Sequence, residues 1–271
     1  MDQTPRLEWL ARTGYAARGL VFVILGYFTA LAAMGARARP VDSTDALSTL
    51  LFHPFGTALL VLLAAGLICF AVWRGAQSLL DVDDCGNDMK GLSRRAVYAA
   101  AGLFYLAFAT VVLSMAAGRG GGDNDAVVRD WTAWLLRQPL GDWVLGAAGL
   151  AVIASGIGIG VAGIRAEIRN YLDLKRKPRL VVSALGFVGS LTRALVFCII
   201  GAFLIFAAID ANAHEATGFA GALLVIKQQP YGAILLGMTA AGFFAFAAFG
   251  FAEAAFRRIN CATRQPSWLH A

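Results

Sequence analysis

The sequence predicts an all-α membrane protein. Six transmembrane helices form three parallel helical-hairpin repeats with short interfacial helices, set about a pseudo-threefold axis. Three observations predict it. First, one stretch is written twice. Residues 14–33 (GYAARGLVFVILGYFTALAA) and 189–208 (GSLTRALVFCIIGAFLIFAA) align without a gap and agree at half their positions. The shared residues include Gly14, Arg18, Leu20, Val21, Phe22, Ile24, Gly26 and Phe28. Second, the 271 residues are 59% hydrophobic and only 15% charged, with a mean hydropathy of +0.67. A soluble domain carries about 25% charged residues, so too little polar material is present to cover a soluble core. Third, the apolar runs are long and continuous. A bilayer core needs about 20 apolar residues in helix, whereas barrel strands are roughly 10-residue segments of alternating polarity.

In order, the runs are 18–36, 54–75, 96–117, 140–164, 193–210 and 231–254. Helices follow because backbone groups in lipid must be satisfied within the segment. Each even run opens on Pro-x-Gly: Pro54/Gly56, Pro139/Gly141 and Pro230/Gly232. The prolines are expected in the first helical turn, where a missing N–H costs nothing. A short segment with helical spacing precedes each opener: Ala46, Leu47, Leu50 and Leu51; Val127, Trp131, Trp134 and Leu135; Phe219, Ala222, Leu223 and Ile226. Ser43–Thr44–Asp45 and Asp123–Asn124–Asp125 offer capping side chains to the first two. These segments are expected in the membrane interface.

The repeats divide the chain into 1–83, 84–174 and 175–271, together one membrane domain. The middle unit is the degenerate copy. Tyr98 and Gly102 echo the first unit, but Ala101 stands opposite Arg18, with Arg94–Arg95 one to two turns earlier.

Charge sets the expected orientation. The two ends and the 74–95 and 165–181 loops hold 16 Lys and Arg, against 6 in the other three loops; Arg193 adds to the first side. Positive residues stay in the cytoplasm, so both termini are expected there, in the cytoplasmic membrane of a bacterium. Trp9, Trp73, Trp131, Trp134, Trp143 and Trp268 fall near span ends or in interfacial segments, as aromatic belts do. Residues 20–33 with ALAAMGA have the outline of a cleaved signal. The same pattern recurs at 189–208, which argues for a retained first helix.

With these repeats in place, the chain resembles the bacterial family known as domain of unknown function 1206. The resemblance is carried by ARTGYAARGLVF, its echo GSLTRALVF, the paired alanines after each, and the Pro-x-Gly openers. It covers nearly the whole chain and implies three tandem two-helix units in one membrane protein. The middle unit departs by lacking the Gly-x3-Arg element. The resemblance brings no known chemistry.

No motif supplies chemistry either. Gly158-Ile-Gly160-Val-Ala-Gly163 reads G-x-G-x-x-G but lacks the strand-to-helix setting of a dinucleotide site. Gly156 and Gly160 form G-x-x-x-G, and small residues let helix backbones approach in lipid, so both are expected at a helix contact. Gly120–Gly122 lacks the Lys-Ser/Thr of a phosphate loop. His53, His214 and His270 have no ligand spacing, and no C-x-x-C joins Cys69, Cys85, Cys198 and Cys261; metal sites and cofactors are therefore not expected. No Ser-His-Asp, paired-carboxylate or H-E-x-x-H arrangement marks an enzyme. No basic stripe with aromatics marks a nucleic-acid binder.

Arg18, Arg193 and Glu253 are the ionisable residues nearest the membrane, where such residues are functional candidates. All three are read near the cytoplasmic helix ends, where Arg can snorkel. Glu253 is expected to pair with Arg257 at i+4 or with Arg193 at the same depth, for about 1 kcal/mol at most. The position of Glu253 holds Gln77 in the first unit and Ala162 in the second, so no symmetric ion ring is expected. The expected function is that of a non-enzymatic accessory or scaffold membrane protein, with the lipid bilayer and another membrane protein as expected partners. A channel or small-solute transporter is the alternative. No small-molecule ligand is named by the sequence.

Overall fold

The structure, a computed structural model, describes residues 4–36, 40, 43–52, 54–83, 86, 88–119, 124–164 and 176–256. Its six long apolar helices are α1 (Thr4–Ala33), α3 (Gly56–Leu79), α4 (Met89–Ala116), α6 (Gly141–Ile164), α7 (Arg176–Ile209) and α9 (Gly232–Phe256). The short helices α2 (Ser43–Ser48), α5 (Asn124–Leu136) and α8 (Phe219–Gln228) lie before α3, α6 and α9. Each hairpin therefore has the same order: long helix, short helix, long helix.

The odd helices start well before the apolar runs. In α1 the extension carries Glu8 and Arg12, an i,i+4 ion pair with Nη2 to Oε1 at 2.7 Å, which supports helix beyond the apolar stretch. In α7 the apolar span begins at Leu180, so Arg193 stands inside it, not at its edge. The expected boundary at Arg193 is thus corrected. A single charge does not end a span when aromatic rings surround its guanidinium.

The Pro-x-Gly openers also differ from expectation. The helices begin at the glycine, and the residue between takes a positive φ in all three repeats: Phe55 at 69°, Leu140 at 63° and Tyr231 at 62°. At Phe55 the ψ of 6° completes the third position of a type II turn, with proline in the second. The closing bonds are formed in the other two, Gly141 N–H to the Gln138 carbonyl at 3.0 Å and Gly232 N–H to the Gln229 carbonyl at 2.8 Å. Proline builds the turn ahead of the helix and is not part of its first turn. The glycine is required by space. A Cβ on Gly141 or Gly232 would stand 1.9 Å from the carbonyl oxygen of Leu135 or Lys227.

Of the capping residues, Asp125 lies within the first turn of α5 and accepts from the Gly218 N–H at 2.9 Å. It ties the short helix of the second repeat to that of the third. Asp88, not anticipated, caps α4 by accepting from the Gly91 N–H at 2.9 Å.

The main interfaces join one repeat to the next: α3 with α4, α6 with α7, and α9 with α1. Within repeats, α1 packs on α3 and α7 on α9 to a smaller extent. The spans therefore follow one another as α4–α3–α1–α9–α7–α6. Among the described residues, α4 and α6 share no interface of comparable extent. The middle of this arc is the core. Half or more of α3 and α9 is covered, against less than a quarter of α4 and α6.

The joins reuse equivalent residues. Arg12 of α1 donates from Nη1 to the carbonyls of Ala254 and Ala255 at 2.8 and 2.6 Å, at the end of α9. Arg95 of α4 donates to the carbonyls of Ser78 and Leu79 at 2.7 and 3.2 Å, at the end of α3. Close approach follows the same register. Gly19 meets the Ala247 carbonyl, Gly102 meets the Ala71 carbonyl, and Gly156 meets the Ala194 carbonyl.

Candidate functional site

Arg18 is the centre of the buried polar structure. It is 5% exposed, and its Nη2 donates to Oε2 of Glu253, itself 8% exposed, across the α1–α9 join. Its guanidinium carbon lies 5.1 Å from the Tyr15 ring centroid, 5.2 Å from Phe70 and 4.9 Å from Phe246. Three aromatic rings and one carboxylate thus take the place of water around the charge. Snorkelling is corrected for Arg18, because the pair is enclosed between helices.

The expected pair of Glu253 with Arg193 is corrected as well. Among the described residues, Arg193 forms no ion pair. Its guanidinium carbon lies 4.6 Å from the Phe246 ring centroid, 5.4 Å from Phe22 and 5.9 Å from Phe197. The reason is the packing order. The buried ion pair forms across a join between repeats, where Glu253 of the third repeat meets Arg18 of the first. The partner position for Arg193 lies on α6, where Ala162 replaces the acid. Arg257, the other expected partner, lies outside the described residues.

A third arginine, not singled out by sequence, completes the cluster. The Arg74 guanidinium carbon lies 4.9 Å from the Phe70 ring centroid and 5.1 Å from Tyr98. Its Nη1 donates to Gln77 Oε1 at 3.0 Å, and the fully buried Gln77 donates onward to Asp83 at 2.6 Å. Phe70 is therefore a neighbour shared by Arg18 and Arg74, and Phe246 one shared by Arg18 and Arg193. Tyr105 of α4 packs edge-on against Phe70 at 4.7 Å. Five of the six spans contribute, and α6 contributes none of these side chains.

Gly156 and Gly160 face α7. A Cβ on Gly156 would stand 3.0 Å from the Ala194 carbonyl oxygen and from the Phe197 Cβ. One on Gly160 would stand 3.3 Å from the Ala194 Cβ, while Gly158 faces open space. Gly149 and Gly163, missed earlier, belong to the same seam. They meet the Gly201 carbonyl oxygen and the Ser190 Cβ, each at 2.8 Å. The available signal was the seven-residue spacing of Gly149, Gly156 and Gly163, which keeps one face toward a neighbouring helix. His214 is exposed on its loop, and Cys69 and Cys198 are free thiols within spans. His53, His270, Cys85, Cys261, Trp268 and Gly120–Gly122 with Asp123 lie outside the described residues. Among the described residues, no group of three or more His, Cys, Asp or Glu could hold a metal ion.

The repeated geometry has a counterpart in known proteins. The family described as Domain of Unknown Function (DUF1206) matches this chain three times, over residues 13–81, 96–166 and 188–257. The chain belongs to the DUF1206 family. Each match of the DUF1206 unit contains one long–short–long hairpin. The chain is similar to an uncharacterized protein, YxxB, of Bacillus subtilis (strain 168), at 33% identity over 244 residues, covering 89% of this chain and 88% of the relative. No solved structure matches. The DUF1206 chain is thus a multi-pass membrane protein of an uncharacterised family, with Arg18 buried and Arg74 and Arg193 half-buried where its first and third repeats meet.

Proposed function

We propose that this DUF1206 protein is a non-enzymatic accessory or scaffold protein of the cytoplasmic membrane. The observation that supports the reading is the uneven covering of its spans. α4 and α6 leave most of their apolar surface outside the bundle, with Leu103, Phe104, Trp143 and Leu150 each more than 60% exposed. The buried charges, Arg18 and Glu253, lie instead between α1 and α9. A second membrane protein docking there would cover the surface that the arc leaves open between α4 and α6, by the small-residue and van der Waals contacts that join helices in lipid.

A photo-crosslinking residue at Phe104 or Leu150, in cells, tests this. The expected result is one discrete adduct with another membrane protein at either position, and none from Leu62 on α3. Crosslinks to lipid alone at all three positions overturn it.

The buried Arg18–Glu253 pair favours one second reading, a small-solute transporter, since ionisable groups inside spans often mark a solute path. Solute flux in proteoliposomes that is abolished by Glu253→Gln would establish transport in place of scaffolding.

A further inference from the structure

We propose that Arg18, Arg74 and Arg193 form a binding site for a phosphate-type oxyanion, built where the first and third repeats meet.

Charge balance is the first argument. Three guanidinium groups are brought together around the rings of Phe70 and Phe246. Among the described residues, one carboxylate, Glu253, bonds directly to one of them, Arg18. Asp83 is linked to Arg74 through Gln77. Arg193 has Arg18 and Arg74 as like-charged neighbours, and Glu253 as its acidic one. A charge inside a membrane span is costly without a counter-ion. Among the described residues, two carboxylates, one of them at one remove, stand against three guanidiniums.

Unused donors are the second argument. Nε of Arg18 and Nε of Arg74 are buried and have no hydrogen-bond partner. Among the described residues, Arg193 makes no hydrogen bond at all; its neighbours are ring faces. Arginine presents five donors in a planar fork suited to two oxygens of one anion. Orphaned buried donors on two arginines, beside a third with only aromatic contacts, are the donor set that a tetrahedral oxyanion accepts from. The ring faces hold each guanidinium in place without consuming its N–H groups.

The third argument is the asymmetry of the repeats. Arg193 has Ala162 where Arg18 has Glu253. The third repeat keeps the base and the second has lost the acid, which leaves positive charge available to a ligand.

The shared chemistry is a phosphate group, either free or on a lipid headgroup. The full chain is purified in mild detergent. One arm adds inorganic phosphate; the other reconstitutes it in nanodiscs of phosphatidylglycerol against phosphatidylcholine. Thermal unfolding is followed in each arm. We expect the wild type to gain several degrees in at least one arm. Gain with inorganic phosphate identifies a free anion. Gain with phosphatidylglycerol alone identifies a headgroup. Arg193→Gln, which leaves the Arg18–Glu253 bond intact, should weaken the response at least tenfold in concentration, and Arg193→Lys should restore only part of it.

A measurement without variants runs beside it. Phenylglyoxal modification of Arg193 in the wild type, read by peptide mass spectrometry, should slow severalfold in the arm that stabilises. No stabilisation in either arm, or an equal response in Arg193→Gln, or undiminished modification of Arg193, each overturns the proposal. None of these outcomes depends on whether a partner docks on α4 or α6, so this site and the scaffold reading fail separately.

Discussion

Glu253 shows how strongly the value of a residue depends on which helix it meets. At a membrane edge beside Arg193 it would contribute about 1 kcal/mol or less. Enclosed beside Arg18, it becomes one half of a buried pair. Removing one partner of such a pair strands a charge and costs about 3–5 kcal/mol, whereas replacing both with apolar residues is far milder. Glu253→Gln and Arg18→Gln should each lower the unfolding midpoint in detergent severely. The double variant Arg18→Met with Glu253→Met should be more stable than either, and equal losses in all three would exclude a coupled pair. Sequence alone put Arg18 and Glu253 among the candidates, because charges within apolar runs stand out. It could not pair them, since pairing depends on α9 returning to α1 across the whole chain. Arg74 was invisible for another reason. It lies at the polar end of its run, and its contacts with Phe70 and Tyr98 appear only once α3 and α4 are packed.

At the scale of elements, two features carry predictions. The α6–α7 seam depends on glycines. Adding side-chain volume to a packed contact costs about 1–3 kcal/mol. Gly156→Leu should destabilise most, Gly160→Leu less, and Gly158→Leu, which faces open space, least. A reversed order in thermal unfolding would remove this seam as the contact that matters. The Pro-x-Gly turn makes the second prediction. Gly141→Ala places a Cβ against the Leu135 carbonyl and should destabilise the hairpin, while Leu140→Gly relieves a left-handed residue worth about 1–2 kcal/mol. Equal melting of these two variants would count against the turn geometry. The six spans were legible because their hydrophobicity is continuous. Their ends were less so, as charge marked the edge of hydrophobicity but not the edge of the helix. The positive φ at Phe55, Leu140 and Tyr231 was hidden because bulky residues rarely take it, and the turn imposes it.

For the whole molecule, the excess of basic residues on one side predicts both termini in the cytoplasm. With the native cysteines replaced, Gln138→Cys should react with an impermeant maleimide in intact cells. Reaction only after permeabilisation would invert the topology. The parallel sense of the hairpins was legible from two spans per repeat. The lateral order of the spans was not. It is set by Arg12 and Arg95 closing the helix ends of the preceding repeat and by the glycine contacts at each join, features spread over residues far apart in sequence.

The Arg18–Glu253 bond also has a consequence in time. Its two residues are 235 positions apart, with Arg18 in the first of the six spans and Glu253 in the sixth. At 5–20 residues per second, tens of seconds separate their synthesis, by an order-of-magnitude count. Throughout that interval the first helix carries a charge whose acid does not yet exist. Water and headgroups must solvate the guanidinium, holding α1 close to the interface with its arginine reaching outward. Enclosure of the Arg18 charge against its carboxylate waits for α9. A nascent chain that stops before Glu253 therefore still carries the Arg18 charge without its carboxylate.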